Sequence, residues 1–437
     1  MKFYYIYTYG CQMNESDSER LAKQLEDSGY KATGDVNQAD LIILNTCCVR
    51  ETAENKIYGR IGELKHLKEK NKNLIIAITG CMAQKNQADM FKRAPHIDIV
   101  LGTHNIQHIN EMIAEVQRTH KHQMNIAMDN SVLPELEAKP GGSFFAWVPI
   151  NNGCNKFCTY CIVPHVRGRE ISRPISAIVE DVRRLGTQGY KEITLLGQNV
   201  NSYGLDFKNG TDFGTLVDAL EGIPGIERIR YMTSHPQDMT KSMIDALARS
   251  SVVVPQLHLP VQSGSNRILK KMNRHYTVEH YLDLLSYARQ HIPDLTVTTD
   301  IIVGFPGETD EDFKGTLDLL HKADYDMAYT FIYSKRSGTP AATMDEQVPD
   351  EIKKVRLQQL MDVQNEISLR KNKAMEGKTY SLIVEGPSRT DEHMWFGRTP
   401  GNKMVLFPQD EELHIGDTIK ARIVKGQTWV LYGTPIK

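Results

Sequence analysis

The sequence predicts an α/β protein in three parts: an N-terminal open α/β domain on a parallel sheet, a central partial (β/α)6 barrel, and a small C-terminal β-barrel. Three observations carry this. Short β-rich runs alternate with helical stretches up to residue 120, the same alternation resumes in six further units from residue 144, and beyond residue 378 it gives way to short strands punctuated by glycine turns. A chain of 437 residues needs several cores, since one domain usually takes roughly 100–200 residues.

In the first part, assigned to residues 1–118, strands are predicted at 3–9, 41–45, 74–79 and 97–101. Intervening helices favour parallel pairing. Ser16-Asp17-Ser18-Glu19 offers an N-cap and an acidic first turn, followed by Leu21 and Leu25 at helical spacing, which predicts a surface helix starting there. Cys11, Cys47 and Cys81 each follow one of the first three runs. Parallel sheets line the carboxyl ends of their strands along one edge, so the three thiols can converge there. Each is alternatively a small buried apolar residue. Residues 119–143 are mixed polar, contain Lys139-Pro140-Gly141-Gly142 and lack periodicity, so they read as a linker.

The second part, residues 144–374, shows strands at 144–150, 192–198, 228–233, 254–261, 295–303 and 327–333. Helical patterns fall between them, and a long charged helix with Leu360, Val363 and Ile367 at helical spacing closes the part. Six strand–helix units are too few for an eight-unit barrel but enough for an open one whose strand ends face a single cavity. Residues 375–437 carry five short strands, at 380–384, 394–396, 405–407, 419–424 and 429–432, predicting a small barrel.

Lys and Arg number 52 against 54 Asp and Glu, a net charge of −2, so no global basic surface marks a nucleic-acid binder. Any RNA contact must come from local patches. No apolar run is long enough for a membrane span, and the N-terminus lacks a secretion signal. The expectation is a cytoplasmic protein with no membrane partner. Its seven cysteines then stay reduced, which points to metal or redox chemistry rather than disulfides.

The strongest motif is Gly153-Cys154-Asn155-Lys156-Phe157-Cys158-Thr159-Tyr160-Cys161. Four cysteines satisfy an iron–sulfur cubane; three leave one iron open, as a catalytic metal site leaves a position for its ligand. Zinc is the alternative, but its cysteines normally come as two matched pairs, and no fourth partner lies nearby. The spacing resembles the Cys-x-x-x-Cys-x-x-Cys signature of the radical S-adenosylmethionine (SAM) superfamily, whose members place the amino and carboxylate groups of SAM on the open iron.

Around the other thiols, Tyr9-Gly10-Cys11-Gln12-Met13-Asn14, Asn45-Thr46-Cys47-Cys48-Val49-Arg50-Glu51 and Thr79-Gly80-Cys81-Met82-Ala83-Gln84 closely resemble the methylthiotransferase family. The resemblance covers the whole chain. It implies an auxiliary 4Fe-4S cluster on Cys11, Cys47 and Cys81, a second 4Fe-4S cluster with SAM on Cys154, Cys158 and Cys161, and a C-terminal RNA-binding TRAM domain. Cys48 is left over as a bystander thiol. Arg167-Gly168-Arg169-Glu170-Ile171-Ser172-Arg173-Pro174 is similar to the branch that modifies dimethylallyladenosine in tRNA. That branch inserts sulfur and a methyl group at C2 of the base next to the anticodon, using two SAM molecules, an electron donor and a sulfur source. Family members acting on threonylcarbamoyladenosine or on a ribosomal protein aspartate are the nearest alternatives. A non-catalytic RNA-binding iron–sulfur protein is another.

By the same resemblance Gly197, Gln198, Asn199, Ser234 and Gln262, at predicted strand ends, are candidates for the SAM pocket; turn chemistry is the plainer reading. Gly304-Phe305-Pro306-Gly307-Glu308-Thr309 approaches adenosine or merely caps a helix. Arg167, Arg169 and Arg173 form a positive cluster suited to phosphate, or a solvated or ion-paired loop. Arg398 and Lys403, near Trp395 and Phe396, are the RNA candidates of the last domain. No catalytic residue is expected beyond the cluster ligands.

Overall fold

The computed structural model describes residues 1–48, 51–128 and 133–436. Val49 and Arg50 of the Cys47 run, residues 129–132 of the expected linker, and Lys437 lie outside the described residues.

Among the described residues the N-terminal domain is a six-stranded parallel sheet. Leu41–Thr46 and Ile75–Gly80 are its centre, and every residue of both is buried. They can be continuously apolar because helices cover both faces. Leu21, Leu25, Ile109, Ile113 and Val116 pack one face; Ile57, Ile61, Leu64, Met82 and Met90 pack the other. Each such side chain contributes about 1.5–3 kcal/mol when fully buried.

Three features differ from the sequence reading. Tyr30–Ala32 forms an unexpected edge strand beside Lys2–Thr8. Gln123–Asn125 pairs with Ile99–Leu101 as an edge strand, so the sheet runs past residue 118 into the expected linker. The first helix spans Gln12–Asp27 with Cys11 as its N-cap. Ser16, Asp17 and Ser18 are buried within it; the polar atoms of two of them meet partners across the interior rather than water, Asp17 accepting from Arg167 and Ser18 from Thr8.

The six predicted strands of the central domain are present as Phe145–Pro149, Glu192–Leu196, Arg228–Tyr231, Gln256–His258, Thr296–Val303 and Met327–Ile332. They pair in parallel in two groups of three, joined by a bridge between Ile229 and Val253. This is the open (β/α)6 barrel. Helix Asp350–Lys373 packs along the last strand, with Gln364 and Ser368 donating to the carbonyls of Tyr325 and Asp326.

Thr379–Pro387, Met394–Arg398, Met404–Pro408, Thr418–Gly426 and Leu431–Ile436 close the C-terminal barrel. Its interior is Leu382, Val384, Val405, Phe407, Ala421, Ile423 and Leu431. Arg228 donates to the Ser381 carbonyl and Arg230 to that of Pro400, fastening this barrel to the central domain. Among the described residues no helix is long and apolar enough to cross a membrane.

Candidate functional site

The loop bearing Cys154, Cys158 and Cys161 leaves the first barrel strand through Gly153. Its φ is +82°, and a Cβ there would run into the Arg169 carbonyl, so only glycine fits this turn. Backbone hydrogen bonds then shape the loop. Gly153 N–H donates to Gln198 Oε1 (2.5 Å), Cys154 N–H to the Gly168 carbonyl (3.1 Å), and Cys161 N–H to the Cys158 carbonyl (2.9 Å). Arg274, buried, places Nη1 3.6 Å from Cys158 Sγ. Burial pushes the Cys154 thiol up to about 12 and Cys161 to about 11. Both therefore keep their protons until a metal displaces them, as a coordinating thiol requires.

Around this loop the strand ends bring the SAM-pocket candidates together. Asn199 donates to Asp238 Oδ2 (2.7 Å), whose other oxygen pairs with Lys156 of the cysteine loop. Gly197 packs against Asn151. Ser234 N–H donates to the His258 carbonyl, and Gln262 N–H to that of Asp300. Asn199 Oδ1, Ser234 Oγ and His235 Nε2 are buried without a hydrogen-bond partner, a costly arrangement that a polar ligand would relieve. Burial, with Arg274 and Lys156 nearby, holds His235 well below the usual imidazole range. Its Nδ1 accepts from Gln237 N–H, so the proton of the neutral ring sits on Nε2. One donor and two hydroxyl or amide oxygens beside three thiols fit a cluster with SAM.

Gly304-Phe305-Pro306-Gly307 leads into a capping box made by Thr309 and Asp312, and Glu308 pairs with Arg356 at 2.8 Å. Helix entry accounts for that segment.

The second triad is assembled from strand ends. Cys11 caps the first helix, Cys47 follows Leu41–Thr46, and Cys81 begins helix Cys81–Asn86 after Ile75–Gly80. The three preceding strands are neighbours in the sheet. Gly10, at φ +125°, lies so close that a Cβ would be 2.6 Å from Cys47 Cβ. Asn14 and Asn45, both fully buried, lock the edge: Asn14 Nδ2 donates to the Tyr9 and Thr46 carbonyls, and Asn45 Nδ2 to that of Asn14. The Cys48 thiol hydrogen-bonds Cys81, and together with the Arg167 guanidinium holds Cys81 below the ordinary thiol range. Cys11 is exposed, whereas Cys47 and Cys81 are buried.

Among the described residues no three Cys, His, Asp or Glu side chains close to single-ion distance. A cubane spreads its thiolates over separate irons, so it does not need the convergence a single ion requires.

Two of the three clustered arginines turn inward as ion pairs rather than toward phosphate. Arg167 is 3% exposed and donates to Asp17 (2.8 Å), Asn14 and Asn152. Arg173 is equally buried and pairs with Glu135 and Asp181. Arg169 is exposed, stacked 4.4 Å from the Phe157 ring centroid. In the last domain Arg398 pairs with Glu385, and Lys403 binds Asp326 and Asn372 at the seam with the central domain. Trp395 packs partly against the barrel core, and Trp429 is the exposed tryptophan, at 64%. The sequence reading missed Arg274, Lys156 and Asp238; only Lys156, inside the cysteine motif, carried a positional signal.

Three family models match the chain. Residues 3–102 match the uncharacterized protein family UPF0004, residues 148–320 the radical SAM superfamily, and residues 373–436 the TRAM domain. Among curated relatives, the tRNA-2-methylthio-N(6)-dimethylallyladenosine synthase of Acetivibrio thermocellus is 49% identical, over 100% of this chain and 91% of its own. Its namesake from Moorella thermoacetica is 48% identical over 99% and 98%. Among solved structures, the radical SAM methyltransferase TsrM of Kitasatospora setae superposes with a TM-score of 0.59 at 13% identity, covering 78% of this chain and 77% of that one. The cobalamin-dependent SAM radical enzyme OxsB gives 0.53 at 14%, covering 83% and 56%. The structural likenesses show the shared fold, and the sequence relatives show the family: the chain belongs to the tRNA-2-methylthio-N(6)-dimethylallyladenosine synthases of the radical SAM superfamily.

Proposed function

We propose that the protein inserts sulfur and a methyl group at C2 of N6-dimethylallyladenosine beside the anticodon of tRNA, using two 4Fe-4S clusters and two SAM molecules. One observation supports this above the others: two thiol triads, one on the barrel edge and one on the N-terminal sheet edge, meet at the shared segment 166–169. When bound, a reduced cluster with SAM at Cys154, Cys158 and Cys161 supplies a radical able to remove the inert C2 hydrogen, and a cluster at Cys11, Cys47 and Cys81 supplies the sulfur.

The chain's own residues bind and orient. Asn199 Oδ1, Ser234 Oγ and the His235 Nε2–H offer the polar contacts for SAM, each left without a protein partner. Lys156 and Asp238 tie the cysteine loop to the strand end that carries Asn199. For RNA, Arg169 and Arg398 are the basic candidates with accessible surface, while Arg167, Arg173 and Lys403 act from within the protein. An electron donor, a sulfur source and a cytoplasmic site of action belong to the same proposal.

Mass spectrometry of tRNA nucleosides from cells lacking the gene tests the substrate. Loss of methylthio-dimethylallyladenosine with accumulation of the unmodified prenylated base is expected. An unchanged level, with no second enzyme present, would overturn the reading.

A further inference from the structure

Segment 166–169 belongs to the radical SAM domain but is held by both thiol sites. The Thr103 hydroxyl donates to the Val166 carbonyl (2.7 Å) and His104 Nε2–H to that of Arg167 (2.8 Å), which fastens the segment to the N-terminal domain. The Gly168 carbonyl accepts from Cys154 N–H, and the Arg169 carbonyl walls Gly153. From the same stretch the Arg167 side chain crosses to the other site. Its fork reaches Asn14 Oδ1 at 3.0 Å and Asp17 Oδ2 at 2.8 Å on the first helix, and Asn152 Oδ1 at 3.2 Å on its own domain. The Cys11 thiol approaches the same Asn14 Oδ1 at 3.8 Å, so thiol and guanidinium share one acceptor, and the positive charge bears on the Cys81 and Cys11 thiols.

We propose that Arg167 is a positioning residue for the N-terminal triad, supplied by the neighbouring domain, which orients that site and raises the reduction potential of the cluster it holds. The inference rests on the reading that Cys11, Cys47 and Cys81 carry a cluster. The physical ground is charge. Reduction adds an electron to an anionic cluster, and a buried cation beside its thiolates stabilises the reduced form most where the dielectric is low. Asp17, paired with the same Nη2 that meets Asn14, offsets part of this. The guanidinium fork reaches three separate acceptors, so lysine keeps the charge and loses some of the orientation. The same segment shapes the Cys154 turn, so the seam between the two domains borders both thiol sites.

The test uses the full chain with Cys154, Cys158 and Cys161 replaced by alanine, reconstituted anaerobically and titrated electrochemically by electron paramagnetic resonance. Arg167→Gln is expected to shift the midpoint to lower potential, and Arg167→Lys to restore most of the shift. The double variant Asp17→Asn/Arg167→Gln leaves no uncompensated buried charge and is expected to show a lower midpoint with an unchanged melting temperature. A cluster present at full occupancy with an unmoved midpoint in both Gln variants would overturn the proposal. Absence of iron from the triple-alanine parent itself would instead overturn the two-cluster reading.

Discussion

Cys154, Cys158 and Cys161 lie on one short loop, held by bonds to Gln198, Gly168 and Met272 as well as one of its own, whereas Cys11, Cys47 and Cys81 come from three strand ends and depend on the sheet to meet. Their electrostatics differ as well. Burial raises Cys154 and Cys161, while the Cys48 hydrogen bond and Arg167 lower Cys81. A loop site tolerates disturbance elsewhere but not in its turn; an assembled site fails when the edge that gathers it loosens. Their separate construction predicts that each can be broken alone.

The largest effects come from the thiols. Cys154→Ala should reduce 5′-deoxyadenosine formation by on the order of a thousand-fold, about 4 kcal/mol of barrier. Cys47→Ala should abolish the methylthio product while SAM cleavage persists. Loss of cleavage in both, measured by chromatography of the reaction, would merge two sites into one.

Next in size is Asn45→Ala. It removes the amide that donates to the Asn14 carbonyl (2.7 Å) and to Ser18 Oγ (3.0 Å) in a fully buried setting, at a cost of about 2–4 kcal/mol. Calorimetry should show a lower melting temperature, and iron should leave the N-terminal site while the central one stays filled. Gly153→Ala is the mirror experiment. Its positive φ and the Arg169 carbonyl make alanine cost about 1–3 kcal/mol, with iron lost from the central site.

The smallest effect separates the two by pH. Glu170, beside the central loop, is pushed up to about 7 by burial from an ordinary 4.5. The folded state thus holds a proton that the unfolded state releases, so this group's contribution to stability falls as pH rises from about 4.5 to 7, by on the order of 1–3 kcal/mol. Urea unfolding at both ends of that window should show the slope. Glu170→Gln should flatten it without touching the N-terminal site.

The loop site could be read from the sequence because spacing alone defines it. The assembled site needed an additional rule, that parallel strands end on one edge, and the three cysteines obeyed it. Strand positions were legible wherever apolar runs were buried on both faces, as in Leu41–Thr46. What stayed hidden was partnership across distance. Arg167 and Asp17 are 150 positions apart, so nothing local tells an inward arginine from one offered to RNA. The true start of the helix capped by Cys11 is hidden for a related reason: Asp17 and Ser18 look like cap residues when their buried partners Arg167 and Thr8 are unknown. Gln123–Asn125 has no apolar pattern to announce it, since an edge strand of three residues buries little.

The central claim, two independent clusters on two triads, is tested most directly by counting iron and sulfide in the anaerobically reconstituted chain and in the two triple-alanine variants. Two cubanes give about eight irons per chain, falling to about four in either variant. About four irons in the unaltered protein, unchanged when Cys11, Cys47 and Cys81 are replaced, would contradict it.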